Sequence, residues 1–193
     1  GAADDANGAT TLTITVADLN DQAPSFTSSN AVDVAEGATA VVTLAAADTD
    51  TADSGGLDYA IVTDDPASGT QFSLSGTSLT IAAQDYETPG CGAGADSRTC
   101  VVIVSATDDA GAATQQTITV TITDTNDQTP VYQAADADDA ISVNENVGTG
   151  SIDAGTITDT DTVGTYGCTL GGADAADFAC SISGSTVNVA FAS

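Results

Sequence analysis

The sequence contains no histidine, no tryptophan and no methionine, and Arg98 is its only basic residue. Without histidine, neither a Ser–His nor a Cys–His nucleophilic pair can be assembled. One arginine beside 28 acidic residues cannot neutralise a phosphate backbone, which excludes nucleic acid as a partner. The formal charge of −27 also argues against binding to an anionic membrane surface. No apolar run is long enough to insert into and span a bilayer.

Unbalanced negative charge on this scale repels itself in a compact fold unless something screens it or binds to it. Two compatible explanations stay open. One is a salt-rich habitat that screens the surface carboxylates, and the other is a set of divalent cations held by grouped carboxylates. The near-absence of basic residues fits a saline or calcium-rich setting and favours a microbial source.

Four cysteines occur as two close pairs. Neither pair has Cys-x-x-Cys spacing and histidine is absent, so zinc binding is disfavoured. We expect the disulfides Cys91–Cys100 and Cys168–Cys180, in preference to free thiols or other connectivities. Such bonds persist in oxidising surroundings, so the sequence predicts an extracellular protein, either on a cell surface or secreted.

An internal repeat organises the chain. Residues 11–24 read TLTITVADLNDQAP and residues 117–130 read TITVTITDTNDQTP, so that Asn20 and Asn126 are equivalent positions 106 residues apart. That period is the size of one β-sandwich domain. Apolar residues alternate with threonine in both stretches, a pattern typical of half-buried strands. We therefore predict an all-β fold of tandem Greek-key, Ig-like β-sandwich repeats, one complete and two partial.

The repeat divides the chain into three predicted segments. Residues 1–21 would be the last strand of a preceding repeat, residues 22–127 a complete repeat, and residues 128–193 the N-terminal part of a further repeat. Strand candidates in the complete repeat are residues 32–35, 40–45, 58–62, 78–82, 101–106 and the alternating stretch that begins at 117. The partial repeats have two explanations: the sequence is an excerpt of a longer chain, or it is a processed subunit.

Acidic residues gather in loops that follow strands. The motif DLND at 18–21 comes after one alternating stretch and before a proline, and DTND at 124–127 does the same. Calcium is a hard cation that takes six to eight oxygen ligands, and carboxylate and amide oxygens supply them. The repeated motif therefore predicts calcium binding in these loops.

This motif and its companions resemble the ligand motifs of cadherin repeats. The matching positions are Glu36 and Glu145 near the repeat starts, DYE at 85–87, DTD at 48–50 and 159–161, ATD at 106–108 and AAD at 2–4. One departure is that Gln22 and Gln128 stand where cadherins usually carry asparagine.

The resemblance implies that Ca²⁺ lies between consecutive repeats. The ligands it implies between the complete repeat and the last one are Glu36, Asp85, Glu87, Asp124, Asn126, Asp127, Asp159 and Asp161. The ligands it implies between the first segment and the complete repeat are Asp18, Asn20, Asp21, Asp48, Asp50 and Asp108. Asp4 and Glu145 would serve further junctions.

The function implied is that of a calcium-rigidified, rod-like extracellular stalk for cell adhesion, with neighbouring repeats or identical chains as partners. An alternative is a filament subunit that polymerises by strand complementation between chains. A carbohydrate-binding accessory module, or a glycosidase that uses Glu36 and Asp85, is less favoured because aromatic residues make up only 4% of the chain. No enzymatic activity is expected.

Overall fold

A computed structural model describes residues 12–50, 56–64, 71–91, 98–135 and 152–192. Regular structure in these ranges is almost entirely β-strand, and the helix found there is a single 3-10 turn at Ala175–Asp177. In the same ranges, no helix reaches the length and apolarity needed to cross a membrane.

The strands up to residue 123 form a two-sheet unit. In chain order they are β1 (Ser25–Phe26), β2 (Ala31–Ala35), β3 (Ala40–Thr43), β4 (Ala46–Ala47), β5 (Asp58–Thr63), β6 (Phe72–Ser75), β7 (Ser78–Ile81), β8 (Thr99–Thr107) and β9 (Ala113–Thr123). One sheet has the order β2-β9-β8-β5 and the other β3-β7-β6, while β1 pairs with β4. The β2–β9 pair is parallel and the remaining pairs are antiparallel.

Apolar side chains from both sheets meet in one core. Val102 and Val104 of β8 and Ile118 and Val120 of β9 are fully buried, and Phe72 of β6 packs in the same cluster. The alternation seen in the sequence is therefore the alternation between the inner and outer face of a sandwich.

The later strands form a second sheet unit. They are β10 (Val131–Ala134), β11 (Ile152–Thr158), β12 (Phe178–Ser183) and β13 (Thr186–Phe191), in the antiparallel order β10-β11-β13-β12. Its small core consists of Ala154, Ile157 and Val187, with Ile182 and Val189 packed against it.

The predicted all-β, Greek-key sandwich architecture is confirmed. The strand candidates at 32–35, 40–45, 58–62, 78–82 and 101–106 correspond to β2, β3, β5, β7 and β8, and the alternating stretch from 117 lies in β9. The limits of the three predicted repeats stay a prediction.

The segment before residue 21 departs from the prediction of a half-buried strand. Residues 12–20 form no strand, and Leu12, Ile14 and Val16 are 81%, 77% and 89% exposed. Their counterparts in β9 are almost fully buried: Ile118, Val120 and Ile122. Alternation specifies which face of a strand would be buried, but a strand forms only beside a neighbour, and none of the described strands pairs with this segment.

Both predicted disulfides are present. Cys91 and Cys100 lie 5.2 Å apart between Cα atoms and are buried in the core of the first unit. Cys168 and Cys180 lie 6.1 Å apart and are half-buried in the second unit. The first bond joins the start of β8 to the end of the loop that carries the DYE motif, so it helps to fix that loop.

Candidate metal centre

Glu36 follows β2 directly and joins three parts of the chain. Its backbone N–H donates to the carbonyl of Thr123, at the end of β9, over 3.0 Å. Its carboxylate accepts hydrogen bonds from the backbone N–H of Tyr86 (2.8 Å) and of Thr125 (2.6 Å). The start of the first unit, the DYE loop and the segment after β9 that contains the DTND motif, which we call the linker, therefore meet at one carboxylate.

The buried side chain of Gln84 fixes the base of the DYE loop. Its amide nitrogen donates to the side-chain oxygen of Gln71 (3.0 Å) and to the carbonyl of Ala82 (2.8 Å), and its amide oxygen accepts from the N–H of Gly90 (3.1 Å). Its carbonyl accepts from the N–H of Gly37 (2.9 Å), whose φ of +71° is a conformation that glycine adopts readily. The loop is thus anchored at both ends.

Asp85 caps a turn within this loop. One carboxylate oxygen accepts from the N–H groups of Glu87 (2.9 Å) and Thr88 (3.2 Å), and the other accepts from the Thr88 hydroxyl (2.7 Å). The Thr88 hydroxyl bond is the main cause that holds the pKa of Asp85 below its ordinary value. Asp85 therefore shapes the loop that presents Glu87.

Five carboxylates approach one another where the DYE loop, the linker and the second unit meet. They fall into two groups that share Glu87, and the ligand atoms within each group lie within 4.8 Å of one another. We call the five residues the junction cluster: Glu36, Glu87, Asp124, Asp127 and Asp161. Two oxygens that each lie about 2.4 Å from one Ca²⁺ are at most about 4.8 Å apart, so both groups are tight enough to share an ion.

Burial raises the pKa of Glu87 to about 7, and the negative charges of Glu36 and Asp161 add to the rise. A carboxylate resists ionisation when it is desolvated beside like charges. A divalent cation would reverse both effects, because it replaces the lost hydration and offsets the repulsion.

The second unit contributes Asp161 to the junction cluster. This residue is only 9% exposed, and its carboxylate accepts a hydrogen bond from the backbone N–H of Gln128 (2.8 Å). The side chain of Gln128 in turn donates to Asp127 (2.7 Å), and the N–H of Asp161 donates to Asp159 (3.2 Å).

Asp124 makes a second link between the linker and the second unit. One of its oxygens accepts hydrogen bonds from both the backbone N–H and the hydroxyl of Thr162. Nearby, the backbone of Gly164 (φ +107°) packs closely against the side chain of Asn126. Asn126 and Asp159 line a cavity of about 320 Å³ at this point.

Several carboxylate oxygens of the junction cluster are buried without a hydrogen-bond partner among the described residues. They are both oxygens of Glu87 and one oxygen each of Asp124 and Asp161. Buried polar atoms are normally hydrogen-bonded, and a buried charged oxygen without a partner is especially costly. Carboxylate oxygens that lie close together and lack hydrogen-bond partners are what a cation site requires, so the cluster fits Ca²⁺.

We call the junction between the first segment and the complete repeat the first junction, and that between the complete repeat and the last one the second junction. The first junction repeats part of the geometry of the second. The backbone N–H groups of Asp21 and Gln22 donate to Asp50 (2.8 and 2.7 Å), as that of Gln128 does to Asp161. The side chain of Gln22 donates to Asp21 (2.8 Å), and the N–H of Asp50 donates to Asp48 (3.0 Å).

Two further predicted ligands lie beside Asp50. With its amide nitrogen turned toward the carboxylates, Asn20 donates to Asp108 (2.9 Å) and to Asp50 (3.3 Å). Asp108 is buried and also accepts from the N–H of Ala112 (2.8 Å). One oxygen of Asp48 is buried without a hydrogen-bond partner in the described ranges.

The structure thus brings five of the predicted ligands into the junction cluster. The other described acidic candidates lie outside its two groups: Asp18, Asp21, Asp48, Asp50, Asp85, Asp108 and Asp159. The two asparagine candidates lie near predicted ligands or their neighbours: Asn20 lies beside Asp50 and Asp108, and Asn126 lies beside Gly164. Asp4 and Glu145 fall outside the described residues. A role in metal binding stays a prediction for all of these residues, including the five of the junction cluster.

No protein-family model and no curated protein matches the chain in sequence. Solved structures do match it in shape. Human desmocollin-1 ectodomain superposes with a TM-score of 0.66 at 22% identity, covering 89% of this chain and 34% of that one. The fold is that of cadherin repeats.

Two other solved cadherin-repeat structures match similarly. Repeats EC21–23 of human CDH23 give a TM-score of 0.54 at 24% identity, over 92% of this chain and 56% of that one. Extracellular cadherin domains 1–4 of protocadherin gamma B7 give 0.53 at 21% identity, over 92% and 42%. The chain therefore spans between about a third and just over half of these cadherin-repeat structures.

Sequence reasoning missed several residues that support the site. Gln84, Thr162 and Arg98 belong to none of the predicted motifs. Arg98 stacks on the ring of Tyr86 in the DYE loop. Each acts through a tertiary contact, such as that of Thr162 with Asp124, 38 residues away. Gln22 and Gln128 did stand out in the sequence because they recur at equivalent positions, and in the structure each side chain donates a hydrogen bond to the preceding aspartate.

Proposed function

We propose that the chain is a calcium-binding, non-enzymatic extracellular module in which Ca²⁺ at the junctions between repeats stiffens a rod used in cell adhesion. The observation that carries the proposal is the junction cluster, where carboxylates from the DYE loop, the linker and the second unit lie within one ion's reach of each other. We also propose the repeat limits 1–21, 22–127 and 128–193.

The cluster gathers five carboxylates from four separate chain segments: the start of the first unit, the DYE loop, the linker and the second unit. Without a cation, the negative charges repel one another, and contacts such as the hydrogen bond from Gln128 to Asp161 oppose their separation. Bound Ca²⁺ would supply the countercharge. The residues that would hold it are Glu36, Glu87 and Asp124 on one side, and Glu87, Asp127 and Asp161 on the other.

The protein's own contribution is to preset these ligands. Glu36 is held by the amides of Tyr86 and Thr125, and Asp161 by the amide of Gln128. Since Asp161 belongs to the second unit and Glu87 to the first, an ion shared by these two carboxylates would resist bending between the units. The proposed function is therefore mechanical.

Two features support the proposed location and partners. Both cysteine pairs are oxidised, as is usual outside the cytosol, and the similar solved structures are described as ectodomains or extracellular domains. We propose a cell-surface or secreted protein whose partners are neighbouring repeats or identical chains.

Calorimetric calcium titration tests the proposal. We expect binding with dissociation constants on the order of 10⁻⁴ to 10⁻³ M, the range of extracellular modules. Asp127→Asn should weaken binding at the second junction, whereas Asp174→Asn, an exposed acidic residue beside the 3-10 turn, should match the wild type. An absence of binding by the wild type, or equal binding by both variants, would contradict the proposal.

Strand exchange between chains is a second candidate. Its support is the exposure of Leu12, Ile14 and Val16, together with an apolar cavity of about 340 Å³ on the second sheet, lined by residues such as Ile157 and Val187. A segment of another copy could add to a sheet in this way. Native mass spectrometry of the purified chain tests it: oligomers that Ile14→Asp abolishes would support exchange, and a monomer throughout would exclude it.

A further inference from the structure

Arg98 lies against the residue between two candidate ligands. Its guanidinium carbon sits 4.0 Å from the centroid of the Tyr86 ring, and its Nε donates a 3.0 Å hydrogen bond to the Tyr86 carbonyl. Tyr86 separates Asp85 from Glu87 in the DYE loop. The only basic residue in the sequence therefore contacts this loop both by stacking of its guanidinium group and through its Nε.

The opposite side of Tyr86 is also held. Its N–H donates to Glu36 (2.8 Å), and its ring packs against the core of the first unit. Both backbone polar groups of Tyr86 are thus bound by charged side chains, one negative and one positive. The peptide units that carry Asp85 and Glu87 cannot rotate without breaking one of these contacts.

Arg98 is itself fixed to the framework. Its backbone carbonyl accepts a 2.8 Å hydrogen bond from the N–H of Ile122, near the end of β9. Two residues after Arg98, Cys100 is joined to Cys91 by a disulfide. The strand β9 leads directly to the linker that supplies Asp124 and Asp127. Arg98 therefore connects the DYE loop to the strand that carries the linker.

We propose that Arg98 is a positioning residue of the second junction, holding the DYE loop so that Glu87 stays among the other carboxylates of the junction cluster. The inference rests on the proposed calcium function. Repulsion from Glu36 and Asp161 pushes Glu87 away when no cation is bound, and the grip on Tyr86 opposes that movement. Arginine suits the task because its planar group can stack on the ring and donate to the carbonyl at once, which lysine does less well.

A purely electrostatic role predicts the opposite sign. A cation beside a calcium site repels calcium, so removing its charge would tighten binding. A positioning role predicts that calcium binding weakens when the guanidinium is removed and an unbranched side chain is kept, as in Arg98→Met. Charge and positioning can therefore be separated by comparing Arg98→Met with Arg98→Lys.

Calcium affinity is measured by calorimetry in an Asp50→Asn background, so that the second junction reports alone. We expect Arg98→Met to weaken binding about tenfold, as loss of an outer-shell partner typically does, and Arg98→Lys to weaken it less. Asp174→Asn serves as the matched surface control. Unchanged or tighter binding by Arg98→Met would overturn the proposal.

A second readout works without calcium. In EDTA, Arg98→Met should speed hydrogen exchange of the Glu87 and Thr88 amides several-fold while β8 and β9 keep wild-type protection. If Arg98→Met does not fold, Tyr86→Leu, which removes the ring beneath the guanidinium, should give the same loop-specific change. Exchange that stays at the wild-type rate would overturn the role of Arg98. A wild type that binds no calcium would instead overturn the proposed function, and the exchange result would still decide whether Arg98 holds the loop.

Discussion

The backbone amide of Gln128 donates a 2.8 Å hydrogen bond to the carboxylate of Asp161. The first residue after the linker motif is thereby tied to the loop that follows β11. The same bond recurs between Gln22 and Asp50 at 2.7 Å. In both places the linker backbone donates to one oxygen of the aspartate, and the other oxygen of Asp161 is buried without a hydrogen-bond partner among the described residues.

Substitutions of Asp161 should separate its two roles. Asp161→Asn keeps an oxygen that can accept from Gln128 and removes one of the mutually repelling charges, so we expect loss of calcium affinity without loss of stability in EDTA. Asp161→Ala removes the acceptor as well and should cost about 1 kcal/mol more in EDTA. Urea unfolding with EDTA measures the difference, and equal stability of the two variants would show that the Gln128 bond contributes nothing.

The pH dependence follows from the raised pKa of Glu87, about 7 against an ordinary 4.5. Between these two values the folded chain binds more protons than the unfolded chain, so without calcium its stability falls as the pH rises from about 4.5 to about 7. Glu87→Gln should remove this part of the dependence. The test compares melting temperatures of the two proteins in EDTA across that range, and parallel curves would be evidence against the shift.

The calcium affinity should show the opposite trend and increase as the pH rises. Binding needs the ionised Glu87, so affinity should fall as the pH drops below about 7, and binding near that pH should release protons. Calorimetry in buffers of different ionisation enthalpy counts the protons released. A release that is identical in the wild type and in Glu87→Gln would contradict a role for this carboxylate.

The two disulfides should differ in their resistance to reduction. Cys91 and Cys100 are 1% and 0% exposed, whereas Cys168 and Cys180 are half-buried. Access controls thiol–disulfide exchange, so a limiting reductant should open Cys168–Cys180 first. Alkylation followed by peptide mass spectrometry reports the order, and earlier opening of Cys91–Cys100 would be incompatible with its burial.

Alanine substitutions of isoleucine in the two copies of the repeat should have very different effects on the free energy of unfolding. Ile118 in β9 is fully buried, and Ile14 in the first copy of the repeat is 77% exposed. Ile118→Ala should destabilise by about 2–5 kcal/mol, and Ile14→Ala by about 0.5 kcal/mol or less. Urea unfolding measures both, and a large cost at Ile14 would mean that its segment is packed in solution, as strand exchange requires.

The pair also shows what the sequence could and could not predict. Alternation correctly located β9, because a strand there finds β2 and β8 on either side. The nearly identical pattern at 12–16 predicted a strand that the structure lacks, since alternation cannot reveal whether a neighbour exists. The short strands β1 and β4 were not predicted for a different reason: a strand of two residues is too short to show a periodic pattern.

The candidate site was predictable where ligands sit in recurring loop motifs, as with Asp124 and Asp127. Its supporting contacts were not. Thr162 binds Asp124 and Arg98 binds Tyr86 only because the fold brings distant loops together. Local sequence could not show that Asp85 would cap its own turn with Thr88 and leave Glu87 as the carboxylate shared by both groups.

Small-angle scattering with and without EDTA, at constant ionic strength, tests the central claim most directly. Calcium should lengthen and stiffen the wild-type chain, and Asp127→Asn should reduce the change. Sodium chloride at matched ionic strength should not substitute, because screening alone cannot bridge carboxylates of two units. If chelation alters neither the maximum dimension nor the melting temperature, the claim that calcium rigidifies the junctions is wrong.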